Sequence, residues 1–511
     1  MKRCGARRRA HVLVLGGAHK ESSSGLRHDT HALCFADVLP AALVRYVVRR
    51  ILLNRTINAS HLLRYYPRVI LTSYMSHIPY TVCPHTAVHE MQECRSVGRQ
   101  KQKILSMSAA EAKSPAESMA KLQEQREAWT GNRARFEAWL NQTVEDPLEP
   151  ELEIVDPHHH IWDMRMLKGF NMFGMFKQQY YMTDELVDDF VGGGHNVTHS
   201  VFVTTHAFFT AEADPPWMAP LGEVQFVQGV AAQFASGTYG SLRCAAAIIG
   251  TADLAKYGAE VEPLLVACMA ASPNYRGIRC NAAHDAKLKS NFHKTTGMYM
   301  EEKFREGFAL LHKHGLVFDA FVFASQLADV HDLARAFPDT QIILDHIGAP
   351  VAALGNVDGA PEYDGRQEEV VANWKATMTL IAKECPNVVV KVGGFVIPQL
   401  GHGLERREKP AGSEELAEMV RGLFRWTIET FGCERCMLEG NFPVDKVSVS
   451  YTTLWNAYKR LTADLPAADR ALLFSGTAKR VYRLGKSATY SSSAKRGQAS
   501  EGLRSAACNL L

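Results

Sequence analysis

Eight short β-rich runs, separated by helical patterns, are the feature of this sequence that most constrains its fold. The β-rich runs cover residues 152–155, 199–204, 245–249, 276–279, 316–323, 341–344, 387–392 and 435–438. The helical patterns between them include residues 254–271, 301–314, 325–336, 368–384 and 413–431. Most of the β-rich runs are continuously apolar, which is typical of parallel strands that are covered on both faces. Eight strands alternating with helices predict an α/β fold of the (β/α)8 TIM-barrel type.

An open, doubly wound sheet would show the same alternation of strands and helices. Such a sheet commonly has fewer strands and carries a glycine-rich phosphate loop after the first strand. Here three consecutive histidines, at positions 158–160, occupy that place. Because a barrel gathers its chemistry at the carboxyl ends of its strands, polar residues at those ends are the candidate site residues.

The predicted barrel spans residues 151–485 and is flanked by segments of different composition. Residues 1–106 hold 17 Lys/Arg and 5 Asp/Glu, so the net charge of +3 conceals a basic leader. Residues 107–150 predict an N-terminal helical extension and a linker, because Ala, Glu, Lys, Gln and Arg favour helices and two prolines then end them. Residues 486–511 are rich in Ser and Ala and predict a disordered tail.

The basic leader has two explanations. It is either an organelle transit peptide, since such segments are rich in arginine and poor in acids, or a wrongly assigned translation start, with the protein beginning near Met107. Its most apolar stretch, residues 39–53, contains three arginines and falls short of the ~20 apolar residues that a membrane span needs. We therefore predict no membrane partner, and a cytoplasmic location unless the leader is a transit peptide.

His158 and His160 are the strongest candidates for a functional site. They are two residues apart on an extended segment, so their side chains share a face and their α-carbons lie roughly 6.6 Å apart. Together they could hold one divalent metal ion or a substrate carboxylate. His159 points the other way and is expected to pack or to form a hydrogen bond. His346, at the end of the sixth run, is predicted to face the pair across the barrel.

Two cationic side chains stand near strand ends, Arg279 in the fourth run and Lys391 in the seventh. A guanidinium at a barrel mouth suits bidentate binding of a carboxylate, so Arg279 is predicted to bind substrate. Lys391 is predicted to neutralise an anionic substrate, beside two glycines that would leave room for a ligand. Each cation has an alternative role as the ion-pair partner of a neighbouring acid.

The eighth run leads into a polar cluster of Glu439, Asn441 and Asp445. Glu439 and Asn441 are two residues apart, so a carboxylate and a substrate-binding carboxamide are expected to enter the mouth side by side. Glu439 is predicted to be the general base for an attacking water, provided that burial brings its pKa toward the working pH. The alternative is an inward-facing acid that pairs with Lys391 or Arg279.

These residues resemble the amidohydrolase-related family of barrel hydrolases, which includes pyrone-dicarboxylate lactonases, sugar lactonases and the aminocarboxymuconate decarboxylase group. The resemblance covers about residues 110–485 and is carried by VDPHHHIWD at 155–163, GIR at 277–279, LDHIG at 344–348, VKVGG at 390–394, NFPVD at 441–445 and LFSGTA at 473–478. In the wider superfamily, a first-strand His-x-His pair, a fifth-strand histidine and an eighth-strand aspartate hold a divalent metal. The resemblance implies that His158 and His160 match the pair and that His346 matches a sixth-strand histidine.

Two positions depart from the family pattern. Gln326 stands where many relatives carry a histidine after strand five, and Asn441 stands where they carry the aspartate. A neutral carboxamide is not a base at neutral pH and brings no charge to a metal. The base role therefore passes to Glu439, with Asp445 as the second candidate. One divalent ion, zinc or manganese, would be weakly held, or the protein would work without metal, as some lactonases of the family do.

The resemblance implies hydrolysis of a small carbonyl substrate, most simply a lactone or cyclic ester. The histidines would polarise the carbonyl group and Arg279 would hold an acidic group of the substrate. Two alternatives remain: a metal-dependent decarboxylase of the same family, and a catalytically decayed barrel that binds a ligand. The chain after residue 106 holds 40 basic and 49 acidic side chains, which argues against a nucleic-acid partner. Assembly into a homo-oligomer is left open.

Overall fold

The computed structural model describes residues 132–165, 179–289 and 291–485. The predicted leader, the predicted tail and the first part of the predicted helical extension lie outside the described residues. Within the extension, residues 132–140 are helical, and turns and irregular segments then lead to the barrel.

Eight parallel strands form the barrel. They are β1 (Ile154–His159), β2 (Val197–Val203), β3 (Arg243–Gly250), β4 (Tyr275–Asn281), β5 (Val317–Phe321), β6 (Ile342–Leu344), β7 (Val388–Val392) and β8 (Cys436–Leu438). Each strand pairs with the next one in sequence. The sheet closes where the chain after β8 meets the end of β1: Asn441 N donates to the His158 carbonyl and His160 N donates to the Phe442 carbonyl, both at 2.8 Å. The predicted TIM barrel is confirmed.

Helices follow the strands and surround the barrel. The longer ones are α1 (Thr183–Phe190), α2 (Leu221–Ala235), α3 (Glu262–Ala271), α4 (Glu302–Lys313), α5 (Leu327–Ala336), α6 (Gln367–Glu384), α7 (Ser413–Phe431) and α8 (Tyr451–Leu461). Short helices cover Leu254–Tyr257, Ala467–Ala471 and Thr477–Val481, and Trp162–Asp163 pairs with Tyr180–Tyr181 as two short antiparallel strands. The sequence of α7 explains its place, because its buried residues Leu416, Val420, Leu423 and Phe424 have the spacing i, i+4, i+7 and i+8 and form one apolar face.

The predicted strand positions agree with the structure, with one difference that matters for the site. Seven strands begin and end within two residues of the prediction, but β1 runs to His159 rather than ending at Val155. The prediction ended this strand too early because its later positions are Asp, Pro and His, which are poor strand formers. His158 therefore belongs to the barrel wall itself and not to a loop above it.

The core has two parts. A large apolar layer fills the space between the strands and the helices. A smaller cluster lies inside the barrel, where the strand residues Val155, Val201, Ile249, Val317, Ile343, Val389 and Met437 pack against Ala478, Val481, Tyr482 and Leu484. The C-terminal segment 478–484 thus closes the amino-terminal end of the barrel. In the described part of the chain, every helix is too short or too polar to cross a bilayer.

Candidate active site

Two layers of inward-facing side chains fill the barrel, and the upper layer is ionisable. Four consecutive strands step from an apolar lower residue to a charged upper residue two positions later, in the pairs Val317/Asp319, Ile343/Asp345, Val389/Lys391 and Met437/Glu439. Residues two apart share a face of a strand, so both members of each pair point into the barrel. Sequence reasoning gave Asp319 and Asp345 no role, although this two-residue step was the signal that could have found them.

His158 and His160 converge as predicted. Their Nε2 atoms lie 3.2 Å apart, and Nδ1 of His160 lies 2.8 Å from the carbonyl oxygen of Val203. A proton on that Nδ1 satisfies the carbonyl and leaves the Nε2 lone pair of His160 free. Burial, helped by nearby cationic groups, holds the pKa of both imidazoles well below the usual value, so both rings are neutral at pH 7. His159 packs between Phe190 and Phe202, on the outer side of the strand as expected.

Glu439 joins two of the histidines. Its Oε1 atom lies 2.7 Å from Nδ1 of His346, and its Oε2 atom lies 2.9 Å from Nδ1 of His158. The backbone N–H of His346 also donates to Oε1, at 3.2 Å. A proton on Nδ1 of His346 satisfies Oε1 and directs the Nε2 lone pair of His346 away from the carboxylate, while Oε2 is buried without a hydrogen-bond partner among the described residues. Glu439 has no exposed surface, and its two oxygens face imidazoles.

The two glycines after β7 make room for this pair of residues. A Cβ atom on Gly393 would lie 2.3 Å from Cγ of Glu439, and one on Gly394 would lie 2.6 Å from Cβ of His346. The glycines were expected to leave space for a ligand, and they leave it instead for the groups that face the ligand. His346 and Asn441 both have left-handed backbone conformations, with φ of 55° and 51°, a strain that concentrates at functional sites.

Asp156 fixes the seam between the first and last strands. Its carboxyl group accepts hydrogen bonds from the backbone N–H groups of His158, at 3.1 Å, and Gly440, at 2.9 Å, and from the hydroxyl of Tyr451, at 3.0 Å. Burial raises the pKa of Asp156 to about 7 despite these donors. The hydrogen bonds of Asp156 therefore fix the position of His158 along the barrel axis relative to the polar residues that follow β8.

The two predicted substrate-binding cations occupy different positions. Arg279 lines the cavity at the mouth, donates from Nη2 to the Thr204 carbonyl at 2.7 Å and places Nη1 3.4 Å from Nε2 of His158. Lys391 is completely buried below it, with Nζ 2.6 Å from Asp319 and 3.0 Å from Asp345. The geometry of Lys391 matches the alternative of an ion-pair partner, whereas Arg279 faces the cavity and also lies 3.6 Å from Oδ2 of Asp345.

Asn441 and Asp445 form a buried pair. Nδ2 of Asn441 donates to Oδ1 of Asp445 at 2.7 Å, while Oδ1 of Asn441 is buried and has no hydrogen-bond partner among the described residues. Burial, followed by the nearby charge of Glu439, raises the pKa of Asp445 well above its usual value. An orphaned buried carboxamide oxygen is costly and indicates a missing donor, water or cation.

Gln326 has a structural role at the position where the family pattern led us to expect a histidine ligand. Its Oε1 atom accepts from the backbone N–H of His284 at 2.8 Å, and its Nε2 atom donates to the Ala282 carbonyl at 2.8 Å. The side chain is buried and ties the loop after β4 to the loop after β5. It therefore shapes the cavity wall, and its carboxamide is already occupied.

A cavity of about 490 Å³ opens above these groups. Aromatic and aliphatic side chains form much of its wall, among them Trp162, Phe209, Phe292 and Met298. The polar part of the wall consists of His160, Thr204, Thr205, His206, Thr251, Asp253, Arg279, Asn281 and His293. A smaller adjoining pocket reaches His346 and Asn441. The cavity has the size and the mixed lining of a small-molecule site.

The donor set fits a divalent metal ion. Two nitrogen ligands of a tetrahedral zinc at about 2.0–2.1 Å would lie about 3.3 Å apart, close to the 3.2 Å between the Nε2 atoms of His158 and His160. His158, His346 and Glu439 also bring ligand atoms within 4.8 Å of one another. In that second group Oε1 of Glu439 already accepts from Nδ1 of His346, so the Nε2 pair fits better.

Charged side chains of both signs lie around the pair. Three carboxyl groups, Asp319, Asp345 and Glu439, surround the two cationic side chains Lys391 and Arg279. Burial raises the pKa of Asp319 to about 6, which still leaves it mainly ionised at pH 7. The formal sum of these five side chains is one negative charge, which a divalent ion at the adjacent imidazoles would offset.

The chain is similar to several known proteins. An L-fucono-1,5-lactonase of Burkholderia multivorans (strain ATCC 17616 / 249) is 29% identical over 182 residues, covering 35% of this chain and 56% of that protein. The uncharacterized protein y4mH of Sinorhizobium fredii (strain NBRC 101917 / NGR234) is 29% identical over 347 residues, covering 65% of this chain and 99% of that protein. Among solved structures, an amidohydrolase from Burkholderia multivorans with bound zinc is 24% identical, with a TM-score of 0.47, covering 65% of this chain and 99% of that one.

The family model described as Amidohydrolase matches residues 155–484, which include the whole barrel except the first residue of β1. The match covers well over half of the 511 residues. This chain therefore belongs to the amidohydrolase family and is a hydrolase of that family.

Proposed function

We propose that this protein hydrolyses a small lactone or cyclic ester at the floor of the mouth cavity. The observation that carries the proposal is the convergence of three imidazole rings: the Nε2 atoms of His158 and His160 are 3.2 Å apart, and the ring of His346 lies 4.6 Å from that of His158. A carbonyl group bound there would meet both a charge-stabilising pair and a proton acceptor. Ester hydrolysis requires both kinds of group.

His158 and His160 would hold a divalent metal ion, and the orphaned Oδ1 atom of Asn441 supplies a further oxygen on the same floor. Such an ion, when bound, would polarise the lactone carbonyl and lower the pKa of the attacking water. Two imidazoles and a carboxamide are a neutral donor set, so binding is expected to be weaker than in a set that includes a carboxylate.

His346 would accept the proton of the attacking water at Nε2. Its Nδ1 atom is committed to Glu439 at 2.7 Å, so the carboxylate holds the ring in the required tautomer and stabilises the imidazolium that forms. The water oxygen forms the new bond to the carbonyl carbon, the ring C–O bond breaks, and the proton on His346 passes to the departing ring oxygen. The product is a hydroxy acid. Direct proton acceptance by Glu439, as predicted from the sequence, or by the buried Asp445 is the alternative to this route.

The cavity suits a hydroxylated lactone better than a multiply anionic one. Among the described residues that line it, Arg279 is the single lysine or arginine, and the carboxyl group of Asp253 faces the same space. Threonine hydroxyls and an asparagine can bind substrate hydroxyls, while Trp162 and Phe292 can cover the carbon face of a ring. The similarity to an L-fucono-1,5-lactonase agrees with this substrate class.

The proposal is tested by incubating the full chain with a panel of sugar-acid lactones. A pH indicator detects the acid that hydrolysis releases. We expect turnover that a chelator lowers and that zinc or manganese restores. His160→Gln should lower kcat at least ~100-fold, since it removes a metal-binding imidazole. The matched control is His195→Gln, which changes a buried histidine bonded to Lys459, and it should retain turnover.

The alternatives give different results in the same assay. Release of carbon dioxide from aromatic acids without lactone turnover would favour a decarboxylase. Binding of lactones without any turnover, with metal present, would indicate a decayed barrel and contradict the proposal.

A further inference from the structure

The C-terminal segment that closes the barrel reaches the active-site layer through one hydroxyl group. The ring of Tyr482 is completely buried in the lower apolar cluster. Its Oη atom lies 3.2 Å and 3.1 Å from the two carboxylate oxygens of Asp319. Nε of Arg276 donates to the Tyr482 carbonyl at 2.8 Å and so fixes the backbone at this point. Tyr482 is therefore held both by apolar packing below and by a hydrogen bond above.

Asp319 passes this contact on to Lys391. Nζ of Lys391 donates to Oδ2 of Asp319 at 2.6 Å and lies 3.0 Å from Oδ1 of Asp345 and 3.2 Å from Nδ1 of His158. These residues have no exposed surface. A continuous chain of contacts thus runs along the barrel axis, from the closing segment to the first-strand histidine.

The chain of contacts matters because the position of a lysine ammonium is determined by its hydrogen-bond acceptors. The ammonium is a compact charge on a flexible stem of four carbons, and its direction depends on where its acceptors are. Lys391 balances the carboxyl groups of Asp319, Asp345 and Glu439, and these charges raise its pKa against the effect of burial. The hydroxyl of Tyr482 restrains Asp319, the acceptor nearest to Lys391. Without that restraint the carboxylate can turn, and the ammonium can follow it away from His158.

A second trio of the same chemistry lies outside the active-site layer. Tyr181 donates from Oη to Asp189 at 2.8 Å, and Lys446 donates from Nζ to both oxygens of Asp189 at 2.7 Å. The tyrosine is again completely buried. Within the described part of the chain, Lys446 contacts Asp189 and the ring of Tyr181 and makes no contact with a histidine. Removing the tyrosine hydroxyl from each trio in turn therefore distinguishes an effect on stability, which both trios share, from an effect on the active site, which only the first trio contacts.

We propose that Tyr482 is a positioning residue for hydrolysis: through Asp319 it places the Lys391 ammonium against His158. This inference rests on the proposed function for its kinetic consequence. Tyr482 touches neither the cavity nor a reacting atom, so it acts only through other residues. The closing segment of the barrel is thereby coupled to turnover and not only to stability.

Tyr482→Phe tests the proposal, with Tyr181→Phe as the matched control. The phenylalanine keeps the ring in the apolar cluster and under the Lys391 ammonium, which lies 5.7 Å from the ring centre, so only the hydroxyl is lost. We expect kcat of Tyr482→Phe to fall roughly 10-fold with KM unchanged, at the low end of the effect of removing a group that orients a ligand-holding residue. Tyr181→Phe should lower Tm by about as much as Tyr482→Phe does, and its kcat should equal that of the wild type. Unchanged kcat in Tyr482→Phe, or an equal loss in both variants, would overturn the proposal.

Two further measurements keep the test decisive. Asp319→Asn should lower kcat at least as much as Tyr482→Phe does. The double variant should have the kcat of Asp319→Asn alone, because both residues act through one chain of contacts. Additive losses of kcat contradict the proposal. A crystal structure of Tyr482→Phe should show Nζ of Lys391 displaced from His158, and an unmoved Nζ contradicts it. If the wild type hydrolyses no lactone, the proposed function fails, and this structural comparison alone decides the positioning role.

Discussion

The two inward-facing layers of the barrel are built by the same strands and have opposite chemistry. On β8, Met437 packs among apolar side chains, and the next inward residue, Glu439, lies within 2.9 Å of two imidazoles. On β7 the corresponding step leads from Val389 to Lys391. Two residues along a strand are about 6.6 Å, so the barrel changes from an apolar core to an ionic site within one layer.

The difference between the layers shows what each contributes. Apolar side chains in the lower layer stabilise the fold by leaving water and by close packing. The upper layer buries charges whose desolvation cost can exceed their mutual attraction, so it does little for stability and much for the orientation of the histidines. Changes in the lower layer should therefore reduce the free energy of unfolding, and changes in the upper layer should reduce turnover.

The largest effect on turnover is expected from His346→Gln in the upper layer. The amide cannot accept a proton, so kcat should fall by about 10²–10⁴-fold, the usual contribution of general acid–base catalysis. Steady-state lactone hydrolysis measures the change. Tm should stay near that of the wild type. Full activity of this variant would remove His346 from the mechanism and favour direct proton acceptance by Glu439.

In the lower layer the prediction is reversed. Met437→Ala should reduce the free energy of unfolding by about 2–5 kcal/mol, because it leaves a cavity in a close-packed cluster. Urea denaturation measures the loss, and kcat of the folded fraction should remain unchanged. Glu439→Gln, two residues further along the same strand, should give the opposite result, with kcat lowered about 10–100-fold and stability little changed. Parallel losses of stability and kcat in both variants would show that the layers are not separate in function.

Gly394→Ala tests how closely the upper layer is packed. The added Cβ would lie 2.6 Å from Cβ of His346, and φ at this position is +64°. A displacement of the imidazole by about 1 Å should lower kcat about 100-fold. Gly365→Ala is the control, since it has the same kind of positive φ, +71°, with open space around the new methyl group. It should share the backbone strain and keep the activity, and an equal loss of kcat in both would point to strain alone.

The smallest effect is expected from Asn441→Asp, which puts the carboxylate of the family pattern into this site. The new carboxyl group would face Asp445, whose Oδ1 atom lies 2.7 Å from the present amide, so the two would compete for one proton and one pKa would rise. A carboxyl pKa that is higher in the folded state lowers stability as pH increases above its unfolded value of about 4. We expect a loss of about 1–3 kcal/mol at pH 8, measured by urea denaturation, which zinc should reverse.

Asn456→Asp is the control for metal rescue. Nδ2 of Asn456 donates to Oε2 of Glu145 at 3.0 Å, so this variant also sets two carboxyl groups face to face, but away from the histidines. Its stability at pH 8 should fall and should not recover with zinc. Equal recovery of both variants would mean that zinc acts without using the proposed site.

Much of the fold followed from local patterns. The apolar runs predicted eight strands, and seven had nearly correct ends, because strands that are covered on both faces require continuous apolar residues. The convergence of His158 and His160 also followed from the period of a strand. Asp319 and Asp345 were not assigned, since a single acid at a strand end does not reveal which partners the barrel brings to it.

Partner choice across strands explains the remaining differences. The sequence allowed Lys391 to bind substrate or to form an ion pair, and only the three-dimensional arrangement of two carboxyl groups around Nζ distinguishes these roles. The family pattern likewise predicts a lost metal ligand at Gln326, whereas the structure shows its carboxamide bound to the backbone of the loop after β4. Contacts between residues far apart in sequence decide such cases, and no local pattern encodes them.

The proposed site at His158 and His160 is best tested by a crystal structure of the full chain in the presence of zinc, with anomalous diffraction measured at the zinc edge. We expect one strong peak at the cavity floor, about 2.0–2.1 Å from Nε2 of both His158 and His160. A peak elsewhere in the molecule, or imidazoles turned away from each other with no ion between them, would contradict it.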